Sequence, residues 1–230
     1  MADEPASDDP RTSDPLDATH QHHLTVRRTA RYFALGSPTA SRVVVALHGY
    51  GQQARYFARH FRALAGAGLR VIVPEALSRF YLDDGYQRVG ASWMTREDKA
   101  HEVRDQLGYL DALVREEIGS RRPHVHLTVL GFSQGAATAT RWAALGSTRV
   151  DRVVVWGGDI PHDLDLHSHR ARLPALTLVI GDSDYFATPD RIAALETRLR
   201  EAALPYEKVD YVGGHRLHGE TLARVLRRSE

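Results

Sequence analysis

The chain reads as an α/β protein: a mainly parallel central sheet with helices on both faces. Two observations predict this. Short apolar runs at residues 43–47, 71–73, 126–130, 153–156, 175–180 and 206–212 alternate with stretches whose apolar residues recur every three to four positions. Several of the short runs are continuously apolar and rich in valine, which reads as strand buried inside a sheet. Helix-period spacing appears at residues 56–67, 98–118, 136–145, 189–203 and 217–228. The segment from Leu24 to Leu35 suits leading strands or a hairpin, and residues 1–19, rich in Asp, Pro, Ser and Thr, suit a disordered arm. Residues 20–230 then form one domain without internal repeats.

The third of these runs ends in Gly131-Phe132-Ser133-Gln134-Gly135 and passes straight into a helical stretch. G-x-S-x-G between a strand and a helix has the form of a nucleophile elbow. Its glycines have a steric cause, because a Cβ at either would collide with neighbouring backbone in so tight a turn. A serine hydroxyl is a weak nucleophile until a base removes its proton, and that base must be held in one tautomer by a carboxylate. Both partners appear downstream, at the ends of later strands. Gly181-Asp182-Ser183-Asp184 follows one run and Gly213-Gly214-His215 another. The order Ser, Asp, His suits the constellation. Asp159 and Asp182 compete for the acid, and His218 is the weaker candidate for the base.

Residues 43–47 end in His48-Gly49-Tyr50-Gly51, a turn able to supply one backbone amide to an oxyanion. Tyr50 and Gln134 are assigned as the two N–H donors, which leaves their side chains less constrained. His48, before a glycine at a strand end, suits a loop-holding role better than that of base.

These four motifs together, over roughly residues 40–228, resemble the α/β-hydrolase superfamily. Within it they are most similar to the phospholipase/carboxylesterase family, which includes the acyl-protein thioesterases. The resemblance implies an α/β-hydrolase fold and makes Asp184, the second aspartate of its stretch, the triad acid. It also implies a serine esterase that acts through an acyl-enzyme on esters or thioesters, and the reading taken here is that the acyl groups are short to medium. Two alternatives stand beside it: a lysophospholipase or acyl-protein thioesterase with a long-chain pocket, and a non-catalytic binding protein on the same fold.

The rest of the sequence bounds this reading. A long stretch from Pro74 to Asp98 carries Phe80, Tyr81, Tyr86, Trp93 and Met94, and loops of that length tend to be functional. Tyr81, Trp93 and Met94 are expected to contact substrate, with bulky rings closing the pocket to long chains; Tyr185, beside Asp184, joins them. No long insertion separates the runs at 153–156 and 175–180, so no large lid domain is expected. His162, Asp163, Asp165, His167 and His169 have ligand-like spacing, but a polar loop gives the same pattern, and no metal or cofactor is expected. His20, His22 and His23 adjoin the arm and have no catalytic role in this reading.

A net charge of +1 gives no electrostatic case for nucleic acid or an anionic membrane as partner. The expected partner is a small-molecule ester or thioester, with a homodimer left open. Without cysteine there is no disulfide framework, thiolate nucleophile or cysteine-based metal site. No apolar signal core or segment of transmembrane length is present, so cytoplasmic residence is the default.

Overall fold

The computed structural model describes residues 21–65 and 68–227, so the expected arm at 1–19 lies outside the described residues. The strands among the described residues are β1 (Tyr32–Leu35), β2 (Arg42–Leu47), β3 (Leu69–Pro74), β4 (Ser78–Tyr81), β5 (Val89–Ser92), β6 (His126–Phe132), β7 (Arg152–Trp156), β8 (Leu176–Gly181) and β9 (Tyr206–Tyr211). Seven form one sheet in the order β1-β3-β2-β6-β7-β8-β9, while β4 and β5 pair separately. In the large sheet β1 runs antiparallel to β3 and the other neighbours are parallel. The helices are α1 (Ala54–Phe57), α2 (Arg62–Ala65), α3 (Lys99–Glu117), α4 (Gln134–Leu145), α5 (Pro189–Glu201) and α6 (Gly219–Arg227). This is the α/β-hydrolase architecture, and among the described residues no large lid covers it.

Strand side chains alternate between faces, and here both faces are apolar. Val43, Val45, Leu127, Val129, Val153 and Leu178 pack with Leu110 of α3, Trp142 of α4 and Leu199 of α5. Val44, Ala46, Val71, Leu130, Val154 and Val179 pack with Phe57, Phe61, Leu222 and Val225 on the other side. A strand covered twice needs hydrophobic residues at every position, which is why these runs show no polar alternation.

Four expectations shift. The leading segment forms only β1, and residues 21–31 take no strand or helix. The stretch at 56–67 is not one helix: a 3-10 turn, Ala58–Phe61, separates α1 from α2. Ala54, Phe57, Ala58 and Phe61 are nevertheless buried at helix-like spacing across that break. The long stretch after β3 is less irregular than expected, because it folds into the β4–β5 hairpin with Phe80 opposite Gly90. The elbow helix begins at Gln134, two residues earlier than its apolar spacing announces.

Glu75, just beyond β3, ties three segments together. Its fully buried carboxylate takes two hydrogen bonds from Arg31 and one from Arg79, at 2.7–2.8 Å, and a longer one from the Ala54 N–H. Burial disfavours its charge, but the hydrogen bonds from Arg79 and Arg31, with their charges, outweigh that and hold the carboxyl below its ordinary range. Among the described residues no helix is long and apolar enough to cross a membrane.

Candidate active site

The four motifs converge at the carboxyl ends of β2, β6, β8 and β9, where open parallel sheets gather their sites. Ser133 sits between β6 and α4 at φ 54° and ψ −119°, a left-handed conformation that costs a non-glycine residue energy. The flanking glycines make the turn sterically feasible. A Cβ on Gly131 would lie 2.2 Å from the Gly135 carbonyl oxygen, and one on Gly135 would lie 2.3 Å from that of Leu47. The Ser133 N–H donates to the Trp156 carbonyl at 2.9 Å, which anchors the elbow to β7.

His215 Nδ1 lies 2.8 Å from Asp184 Oδ2, and the Asp184 side chain is fully buried. A carboxylate only accepts, so Nδ1 is the donor, and in the neutral imidazole this tautomer leaves Nε2 with its lone pair. The second carboxylate oxygen of Asp184 accepts from the Phe186 N–H at 3.0 Å. The imidazole is walled by Phe132 and Phe186, with ring centroids 4.8 and 4.6 Å away. Gly157 and Gly158 show how close the elbow lies to this pair. A Cβ on Gly157 would stand 3.0 Å from the Asp184 carboxylate and 3.2 Å from His215 Nδ1, and one on Gly158 would be 2.5 Å from the Ser133 carbonyl oxygen. The turn after β7 is thus wedged between the serine and the His–Asp pair.

The competitors are occupied elsewhere. Asp182 accepts from the Gly213 N–H at 3.0 Å and holds the loop that carries His215. Asp159 accepts from the adjacent Ile160 N–H. His218 Nδ1 lies 2.9 Å from the Thr221 hydroxyl at the start of α6. His48 is buried, with Nδ1 donating to the Gly49 carbonyl and Nε2 accepting from the Ala76 N–H at 3.1 Å. Burial lowers its pKa below the ordinary value, so it stays neutral and fixes the loop.

That loop and the hairpin hold each other. Gly51 N–H donates to the Ala91 carbonyl, and Ala91 N–H donates to that of Gln52. Among the described residues the Tyr50 N–H has no hydrogen-bond partner, and Gln134, opening α4, has no intrahelical acceptor for its own. The expectation of a loosely held Gln134 side chain is corrected. Its Oε1 accepts from the Trp93 N–H at 3.0 Å, while Nε2 donates to the Ser92 hydroxyl at 3.1 Å and the Met94 carbonyl at 2.9 Å. Sequence reasoning missed this clamp, and also the Gly157-Gly158 turn, although two adjacent glycines at a strand end were a visible signal.

A cavity of about 840 Å³ opens beside the serine, lined by Ser133 and Gln134, by Ile160, Ile180, Phe186, Ile192 and Leu195, and by several charged side chains. Met94 is among the residues that line it. Trp93 is not: it is fully buried in the core, with its indole N–H donating to the His48 carbonyl at 2.8 Å. The roof it was expected to form over the acyl pocket is absent for that reason. Tyr81 is exposed and meets Tyr86 edge-on, outside the cavity lining. Tyr185 is exposed beside His215, ring centroids 5.9 Å apart, and is likewise outside the lining. In the 162–169 loop, Asp163 accepts from Lys99 at 2.8 Å and from Arg141 at 2.6 Å; these partners, Lys99 foremost, hold its carboxyl down to about 2.

The profile of the phospholipase/carboxylesterase family matches residues 34–227. The chain belongs to that family. Its members are hydrolases of the esterase and thioesterase kind, and the fold agrees. Zea mays acyl-protein thioesterase 2 is similar in structure, with a TM-score of 0.66 at 18% identity over 86% of this chain and 97% of that one. A phospholipase/carboxylesterase from Dyadobacter fermentans gives a TM-score of 0.61 at 16% identity, over 90% of this chain and 100% of that one. At such identities the likeness is one of fold. No curated protein sequence matches the chain.

Proposed function

We propose that this phospholipase/carboxylesterase family member is a serine esterase for carboxylic esters or thioesters of short to medium acyl groups. The observation that carries the reading is the 2.8 Å His215–Asp184 contact beside a serine in an elbow. Ser133 Oγ attacks the ester carbonyl while His215 Nε2 accepts its proton, and Asp184 steadies the imidazolium that forms. The tetrahedral oxyanion takes hydrogen bonds from the Tyr50 and Gln134 N–H groups. His215 returns the proton to the leaving alcohol or thiol, giving an acyl-enzyme. Water, deprotonated by His215, then releases the acid and restores the serine. The partner is a small ester or thioester.

The cavity of about 840 Å³ supports a second reading, an acyl-protein thioesterase or lysophospholipase that takes longer chains. Hydrolysis of p-nitrophenyl esters of graded acyl length by wild type and Ser133→Ala tests both. The main reading expects turnover highest at short to medium chains and abolished by the substitution. A rate that climbs to long chains selects the second reading, and activity that survives in Ser133→Ala overturns both.

A further inference from the structure

The cavity beside Ser133 is lined by both apolar and cationic side chains. Arg96, Lys99, Arg141 and Arg191 line it, against the carboxylates of Asp159 and Asp163 alone. The whole chain carries a net charge of only +1, so this surplus is local. Lys99 and Arg141 share the single carboxylate of Asp163, which leaves that trio one positive charge in excess. Arg96 and Arg191 make no ion pair among the described residues; the Arg191 guanidinium donates only to the Phe186 carbonyl.

Arg141 is the least expected member. Its side chain is 8% exposed, and burying a guanidinium is costly unless its donors are satisfied. Nη2 meets Asp163, but Nη1 meets only Met94 Sδ at 3.2 Å, and a thioether is a weak acceptor. A donor-rich edge is therefore kept at the wall of an open cavity. Arg141 stands eight residues after Ser133, so their Cα atoms are separated by about 12 Å of helix rise. Helical side chains lean toward the N-terminus, which tilts the guanidinium toward the serine end of the helix.

On the serine-esterase reading, we infer that the cavity is a carboxylate subsite, and that the substrate is an ester bearing a carboxylate a medium chain length from the scissile bond. The methylenes lie against Ile160, Phe186, Ile192 and Leu195, and the carboxylate completes the donors of Arg141 and Lys99, with Arg96 and Arg191 adding field at the mouth. One carboxylate balances the single positive charge that the trio leaves over. The carboxylate could sit in the acyl half or in the alcohol half, and the test separates them.

In the first arm, kcat/KM is compared for mono-p-nitrophenyl suberate and the neutral p-nitrophenyl suberamate. In the second, octanoate esters of 4-hydroxybenzoate and 4-hydroxybenzamide are compared. The expected result is an anionic-to-neutral ratio above about ten in one arm, which identifies the half. That ratio should fall with added salt, and several-fold in Lys99→Met and Arg96→Gln, substitutions milder than any at the buried Arg141. Ratios of one or less in both arms, in an enzyme that turns over the neutral esters, overturn the subsite. Calorimetric titration of suberate into Ser133→Ala separates the two claims. If no ester is hydrolysed yet suberate binds and Lys99→Met weakens it, the subsite stands and the esterase reading falls; if no ester is hydrolysed and suberate does not bind, the subsite falls too.

Discussion

Asp184 Oδ2 lies 2.8 Å from His215 Nδ1, while its other oxygen takes the Phe186 N–H, so one buried carboxylate fixes both the histidine and the loop beside it. Neither Asp182 nor Asp159 has this relationship. Asp184→Asn should therefore cost about four orders of magnitude in kcat, the size seen where an amide imposes the wrong tautomer in a triad. Asp159→Asn should stay within a few-fold of wild type, and Asp182→Asn, which weakens only a loop contact, should lie between. Steady-state kinetics on one p-nitrophenyl ester checks the order, and equal losses at Asp182 and Asp184 would move the acid.

Gln134 ties the elbow to residues 92–94 through its side chain. Gln134→Ala strips the Trp93 N–H of its acceptor and the Met94 carbonyl of a donor. A buried donor left unsatisfied costs about 1–3 kcal/mol, and a shift of about 1 Å near reacting groups can cost a hundredfold. The expected outcome is a lower melting temperature together with a ten- to hundredfold loss in kcat. A variant with wild-type kcat would reduce the clamp to ordinary packing.

Trp93 separates the sequence-based expectation from the structure most sharply. As a roof over the acyl pocket, its truncation should shift chain-length preference. As a core residue with a satisfied indole N–H, Trp93→Ala should instead destabilise by about 3–5 kcal/mol and leave the preference unchanged. Denaturant unfolding and a chain-length series on the folded fraction distinguish these.

That contrast shows what the sequence could and could not disclose. The candidate residues Ser133, Asp184 and His215 were legible because each sits just beyond a strand, and because the elbow geometry leaves no room for a Cβ at Gly131 or Gly135. The parallel sheet was legible because strands covered on both faces must be continuously apolar. Trp93 was not, since an aromatic residue in a long connection reads the same whether it faces a cavity or the core. The β4–β5 hairpin was hidden for a related reason: its pairing is reinforced by the Gly49–Gln52 loop, a contact far away in the chain. The cationic cavity wall draws on α3, α4 and α5 at once, so no local pattern announced it.

Acid should destabilise the fold through His48. Its pKa is pushed below the ordinary 6.5 mainly by burial, so below pH 6.5 the unfolded chain takes up a proton that the folded chain refuses. Stability is therefore full above pH 6.5 and falls as the pH drops toward the folded pKa. His60, whose pKa is also lowered by burial, acts in the same direction. The melting temperature should decline between pH 7.5 and 5.5, and His48→Asn, though less stable at pH 7.5, should decline less steeply. A melting temperature that rises over this range would contradict the sign.

The central claim, that Ser133 is the covalent nucleophile, is tested most directly by intact-mass analysis after reaction with a fluorophosphonate. One adduct per chain is expected, mapped by peptide sequencing to Ser133, and none on Ser133→Ala. An adduct of equal yield on Ser133→Ala, or one mapped to another residue in the wild type, would contradict it.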